Sequence, residues 1–174
     1  MNLHIDIQNE HNFEIDVERL TIAARTVLEA HDLEHGAEMV VAVTTNEDVA
    51  ELNNRFRGID APTDVLSFPA DDLPTELAQS IDQPPYLGDV VIAYPYAAAQ
   101  AERENHDLGD SLALLIVHGA LHLLGYDHDT PQNRAKMWTA QAESLMALNI
   151  PMSLVPALEE GHPDAKIGHQ GHDQ

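Results

Sequence analysis

Leu112-Ala113-Leu114-Leu115-Ile116-Val117-His118-Gly119-Ala120-Leu121-His122-Leu123-Leu124-Gly125-Tyr126-Asp127-His128 is the stretch on which the fold turns. It is the most apolar run of the chain, yet it is interrupted by His118 and His122 and too short to span a bilayer. A helix that is apolar nearly all round belongs in the middle of a domain, with the other elements packed about it. Four residues advance an α-helix by about 400°, so His118 and His122 stand one turn apart on one face. Two imidazoles so placed can share one cation. Gly125 can take the left-handed conformation that ends a helix, which lets the chain turn and bring His128 back as a third ligand. Three neutral imidazoles with an open fourth position describe a catalytic zinc site rather than a closed structural one.

The His, His, Gly, His spacing of i, i+4, i+7, i+10 matches the zinc-binding pattern of the metzincin proteases. One position departs from it. Where a protease keeps its Glu general base, this chain has Gly119, which cannot accept a proton from a metal-bound water. Peptide hydrolysis by that route is therefore disfavoured, while polarisation of a phosphoryl oxygen is still open to such a metal.

Outward from this helix, Leu3, Ile5 and Ile7 alternate with His4, Asp6 and Gln8, the period of a half-buried strand. From Val17 the apolar residues Leu20, Ala23, Ala24, Val27 and Leu28 take helical spacing, with Gly36 as the stop. Residues 39–43 form a β-branched run, and Asn46 is placed to cap a helix carrying Val49, Leu52 and Phe56. Residues 63–68, closed by Pro69, and residues 87–94 read as two further strands, separated by an aperiodic loop at 70–85. Helices follow over 96–104, 108–124 and 131–148, the last opened by Thr130 as cap and Pro131 at the first helical position. The expected architecture is α+β: a single domain over residues 1–158 with a four-stranded mixed sheet, helices packed on it and the metal-binding helix central. Residues 159–174 have almost no apolar side chains and read as a frayed tail, in which His162, His169 and His172 receive no role.

At 174 residues the chain has room for one proper core. Eight Lys+Arg against thirty Asp+Glu give a net charge of −22, a field that repels nucleic acid and anionic membrane alike. A protein that coats DNA or RNA by bulk charge is excluded, and any nucleic-acid role needs a local cationic feature. The absence of cysteine removes disulfides, Cys-based zinc ribbons, iron–sulfur centres and thiol nucleophiles. Met1-Asn2-Leu3-His4-Ile5-Asp6 lacks the basic start and apolar run of a signal peptide, so the expected location is the cytoplasm, with no membrane partner.

The string HGALHLLGYDH at 118–128, together with LNNRFRG at 52–58, PTDVLSFP at 62–69 and LGDVVIAY at 87–94, resembles the YbeY family of bacterial ribosome-maturation endoribonucleases. The resemblance covers about residues 50–130 in the same order. It implies a metal-dependent cleavage of single-stranded RNA, processing of the 3′ end of small-subunit ribosomal RNA, and a part in ribosome quality control; the alternatives are a noncatalytic ribosome assembly factor whose metal only stabilises a binding surface, and a metalloprotease. It also implies that His118, His122 and His128 ligate one zinc ion and that Arg57 is the functional arginine beside it. The implied partners are ribosomal RNA and the small subunit rather than DNA, with docking through a ribosomal protein or a ribosome-associated GTPase. Arg57 suits its part, since it precedes a Gly-Ile-Asp-Ala-Pro turn from which a guanidinium can reach a phosphate with two parallel hydrogen bonds. Arg55 reads as a solvated neighbour, Asp64 and Asp89 as structural carboxylates, and Tyr126 and Trp138 as core.

Overall fold

A computed structural model describes residues 2–33, 36–70 and 85–155. Most of the loop expected at 70–85 and the whole tail with its three histidines lie outside the described residues. The elements run β1 (Asn2–Gln8), α1 (Val17–Ala30), β2 (Gly36–Thr44), α2 (Asn46–Arg57), β3 (Val65–Pro69), β4 (Tyr86–Ala93), α3 (Tyr94–Glu104), α4 (Leu108–Leu123) and α5 (Pro131–Ala147), with a 3-10 turn at Met152–Leu154. The four strands form one sheet in the order β1-β2-β4-β3. β1 and β4 lie parallel to β2, and β3 lies antiparallel to β4, so the sheet is mixed as expected.

Alternation along the strands divides the side chains between two faces. Met39, Val41 and Val43 of β2 and Val90 and Ile92 of β4 join the core formed with α1 and α4. Val91 and Ala93 of β4, with Leu66 of β3, form a second, smaller cluster under Val49 of α2. Helix α4 is the centre of the larger core. Eleven of its residues are buried, from Leu112 to Leu123, and it packs on α1, α3, α5 and the β3–β4 pair. β3 is an edge strand, which is why it accommodates Pro69 without loss of a ladder hydrogen bond.

Three local expectations change. α1 ends at Ala30, several residues before Gly36, which instead opens β2 at φ +142°. Thr45 rather than Asn46 caps α2, its hydroxyl accepting from the Asp48 N–H at 3.1 Å. Thr and Asn are both good caps, and extended backbone at Thr45 decides between them. Phe56, placed by periodicity on the apolar face, is 60% exposed and meets Phe68 edge-on at 5.2 Å.

Candidate metal centre

The end of α4 builds the site. Its last turn closes in a Schellman arrangement about Gly125 at φ +100°, where the Tyr126 N–H bonds the Leu121 carbonyl and the Gly125 N–H bonds the His122 carbonyl, both at 3.0 Å. Five residues separate His122 from His128, and this reversal returns the chain to the helix it has just left. The loop is pinned on both sides. Tyr126 donates its hydroxyl to His31 Nε2 at 2.9 Å, His31 being oriented by its own Nδ1 against the Val27 carbonyl. Asp127 accepts from the His128 N–H at 2.8 Å.

His118 is buried and His122 and His128 are half-buried, and one ring nitrogen of each lies within 4.8 Å of the other two. Hydrogen bonds on the far side of two rings set their tautomers. His122 Nδ1 lies 3.0 Å from the Tyr126 carbonyl, an acceptor only, so Nδ1 carries the proton. His118 Nδ1 lies 2.9 Å from Gln141 Oε1, with the same consequence. Both Nε2 lone pairs then face each other across 3.2 Å. That is repulsive until a cation stands between them. Two nitrogens bound at 2.0–2.1 Å on a tetrahedral ion are about 3.3 Å apart, so the pair fits zinc as it stands.

Gly119 has a reason that the sequence alone did not disclose. A Cβ there would lie 2.8 and 2.9 Å from the two methyls of Val90 and 3.2 Å from Ser67 Oγ. The position therefore faces the sheet, and Ser67 donates to the Gly119 carbonyl at 3.3 Å. A Glu general base at this position has no room. Gly119→Ala should gain some helix propensity, about 0.5–1 kcal/mol, but lose more to overpacking against a stiff β-branched neighbour, about 1–3 kcal/mol. Net destabilisation in urea unfolding is the expected result, and a raised midpoint would contradict this packing account.

Arg57 ends α2, which Gly58 closes in the left-handed conformation at φ +72°. The turn that follows is held by Asn53, whose side-chain amide donates to the Ala61 carbonyl at 2.9 Å. The half-buried guanidinium has its pKa lowered by desolvation, with the Asp127 carboxylate acting in the opposite direction. Arg57 is thus within electrostatic reach of the loop that carries His128. Arg55 is exposed, paired with Glu51 at 3.2 Å and set over the Phe56 ring.

Asp64 is buried and accepts from the Thr63 hydroxyl at 3.3 Å. Asp89 accepts from the Tyr86 hydroxyl, and burial raises its carboxyl pKa. Both serve the scaffold in these contacts. Trp138 is not simply core, as its ring meets His118 and His128 edge-on at 5.9 and 5.7 Å. Gln141, which orients His118, was not singled out by its sequence position. The available signal was a polar residue on the buried stripe of α5, between Ala140 and Leu145.

The family model described as Endoribonuclease YbeY matches residues 5–149, a span that contains Arg57 and all three histidines. A relative named Endoribonuclease YbeY from Chloroflexus aurantiacus is 42% identical over 148 residues, covering 84% of this chain and 96% of its own length. One of the same name from Thermobifida fusca is 43% identical over 143 residues, covering 82% and 92%. The solution structure of a Thermotoga maritima protein is similar at a TM-score of 0.55 and 25% identity, covering 83% of this chain and 88% of that one.

Proposed function

The chain belongs to the YbeY family of endoribonucleases, and on that premise we propose that it is a zinc-dependent hydrolase. Its substrate in this reading is single-stranded RNA, at the 3′ end of small-subunit ribosomal RNA and in ribosome quality control. The observation that supports the reading most is the pair of Nε2 atoms of His118 and His122 facing each other at 3.2 Å, with His128 in the same cluster. These three residues would hold the ion, although an all-imidazole set also accepts nickel or cobalt. Zinc so bound supplies Lewis acidity toward a phosphoryl oxygen and makes a coordinated water more acidic.

The chain's own residues supply the rest. Gln141 and the Tyr126 carbonyl keep His118 and His122 in the tautomer that presents Nε2. Arg57 holds the scissile phosphate through its guanidinium fork and offsets charge that builds on the phosphate in the transition state. Asp127, acting on Arg57 and bonded to the His128 N–H, ties the two halves of the site together. Selectivity for ribosomal RNA is assigned to docking on the small subunit, through a ribosomal protein or a ribosome-associated GTPase, because a net charge of −22 disfavours loose RNA binding. No helix among the described residues is long and apolar enough to cross a membrane.

The test is cleavage of a synthetic RNA carrying the 3′ region of small-subunit ribosomal RNA. The purified, zinc-loaded protein should cut it as a single strand and spare it in a perfect duplex. Failure to cut any RNA would reject the reading. A broad peptide library should survive the same incubation, since Gly119 leaves the helix without a general base. Metal-dependent peptide cleavage that disappears in His118→Ala would favour a protease instead.

A further inference from the structure

Phe56 is 60% exposed and is the one exposed aromatic side chain among the described residues. A phenyl ring left in water forgoes much of the free energy that burial would bring. The helix that carries it does bury its earlier apolar residues. Val49 is fully covered, and Leu52 packs with it against Leu66, Val91 and Ala93 of the sheet. Phe56 comes later, in the last turn of α2, one residue before Arg57 and two before Gly58, where the helix stops. It meets the Phe68 ring edge-on at 5.2 Å, while exposed Arg55, engaged by Glu51, approaches its centroid only to 5.9 Å. Most of the ring is left to solvent.

Two observations place this ring beside the metal centre. Arg57, the next residue, lies within electrostatic reach of Asp127 on the loop that carries His128. Phe68, against which Phe56 leans, follows Ser67, whose hydroxyl bonds the Gly119 carbonyl of the metal-binding helix at 3.3 Å. The Phe68 carbonyl and Leu123 of the last turn of that helix also close on one point at Gly88. Because β3 is the edge strand, no further strand lies between the ring and the histidine side of the sheet. A chain with a net charge of −22 cannot hold RNA by charge alone, so part of the affinity must come from contacts that carry none.

Resting on the endoribonuclease reading, we propose that Phe56 is a stacking platform for one unpaired nucleobase of the substrate. The base belongs to a nucleotide adjoining the phosphate at Arg57, and the RNA passes round the β3 edge to reach it. Every base has a π face, so the contact accepts any sequence and demands only that the base be free of a pairing partner. Phe56 thereby selects for a single strand and positions it, without taking part in bond cleavage.

The experiment compares zinc-loaded wild type, Phe56→Ala, Phe56→Leu and Phe56→Trp on a short single-stranded RNA, and on the same RNA carrying one abasic nucleotide at each position flanking the cut in turn. Phe56→Ala should raise KM about 5- to 150-fold with kcat changed by less than about 2-fold, the loss expected for one base stacked on an aromatic ring. The slope of log KM against log salt should keep its wild-type value, since stacking releases no counterion. Phe56→Leu keeps an apolar side chain without a π face and should lose most of what alanine loses. Phe56→Trp should restore wild-type KM, and its added indole fluorescence should be quenched by single-stranded RNA and not by a duplex. At one abasic position the wild type should fall to the level of Phe56→Ala, with no further loss in the variant. Wild-type KM in Phe56→Ala or in Phe56→Leu, or a loss in Phe56→Ala that persists at every abasic position, overturns the assignment. Wild-type protein that neither binds nor cuts the intact RNA overturns the nuclease reading itself, and this inference with it.

Discussion

His122→Ala should strip the protein of its metal and reduce RNA cleavage at least about 100-fold while leaving the fold in place. One ligand of three is removed, and if a structural zinc site is worth about 10–16 kcal/mol, a single imidazole accounts for some 3–5 kcal/mol of affinity, or about 150- to 5,000-fold. His122 is a better choice than His118 for this test. It is only half-buried, and the Tyr126 carbonyl it leaves behind belongs to a loop near the surface. His118 is 1% exposed, and its removal would orphan buried Gln141 Oε1 at a further cost of about 1–3 kcal/mol. A fall in cleavage in His118→Ala would thus mix metal loss with destabilisation. Elemental analysis of dialysed protein checks the result, and full metal content in His122→Ala would place the ion elsewhere.

The second large effect belongs to Arg57. Arg57→Ala should leave metal content and folding unchanged, because the residue sits at the C-terminal end of α2 with only half its surface covered. Cleavage should fall about 30- to 1,000-fold, the 2–4 kcal/mol lost when a charge-assisted contact made mainly in the transition state is deleted. Arg57→Lys should recover only part of that, since an ammonium keeps the charge and loses the fork. Arg55→Ala removes the same charge two residues away, from a side chain that is exposed and paired with Glu51, and should change the rate only slightly. Equal losses at the two positions would reduce Arg57 to general electrostatics. Wild-type cleavage by Arg57→Ala would remove it from the site.

Much of this arrangement was readable in the sequence because it is local. The i, i+4 spacing of His118 and His122 and the helix-ending role of Gly125 depend only on helix geometry and on one glycine's access to positive φ. The four strands and five helices were readable from periodicity for the same reason. What depends on distant chain segments was not. The order β1-β2-β4-β3 rests on pairings between strands far apart in sequence, which no local pattern encodes. Gln141 acquires meaning only once α5 is laid against α4, where a polar residue on a buried stripe finds the His118 ring. Gly119 was read from the sequence as a missing base. The structure adds that the helix approaches Val90 too closely for any side chain, so the chemistry and the packing exclude Glu together.

In the proposed reaction the three imidazoles hold an ion on which RNA cleavage depends. Titrating zinc into metal-free protein, with initial rates of single-stranded RNA cleavage recorded at each addition, tests it most directly. His118, His122 and His128 are the one cluster of metal-ligand type among the described residues, so the rate should climb from near zero and level off at one equivalent per chain. Cleavage by the metal-free protein at the rate of the loaded one would contradict it.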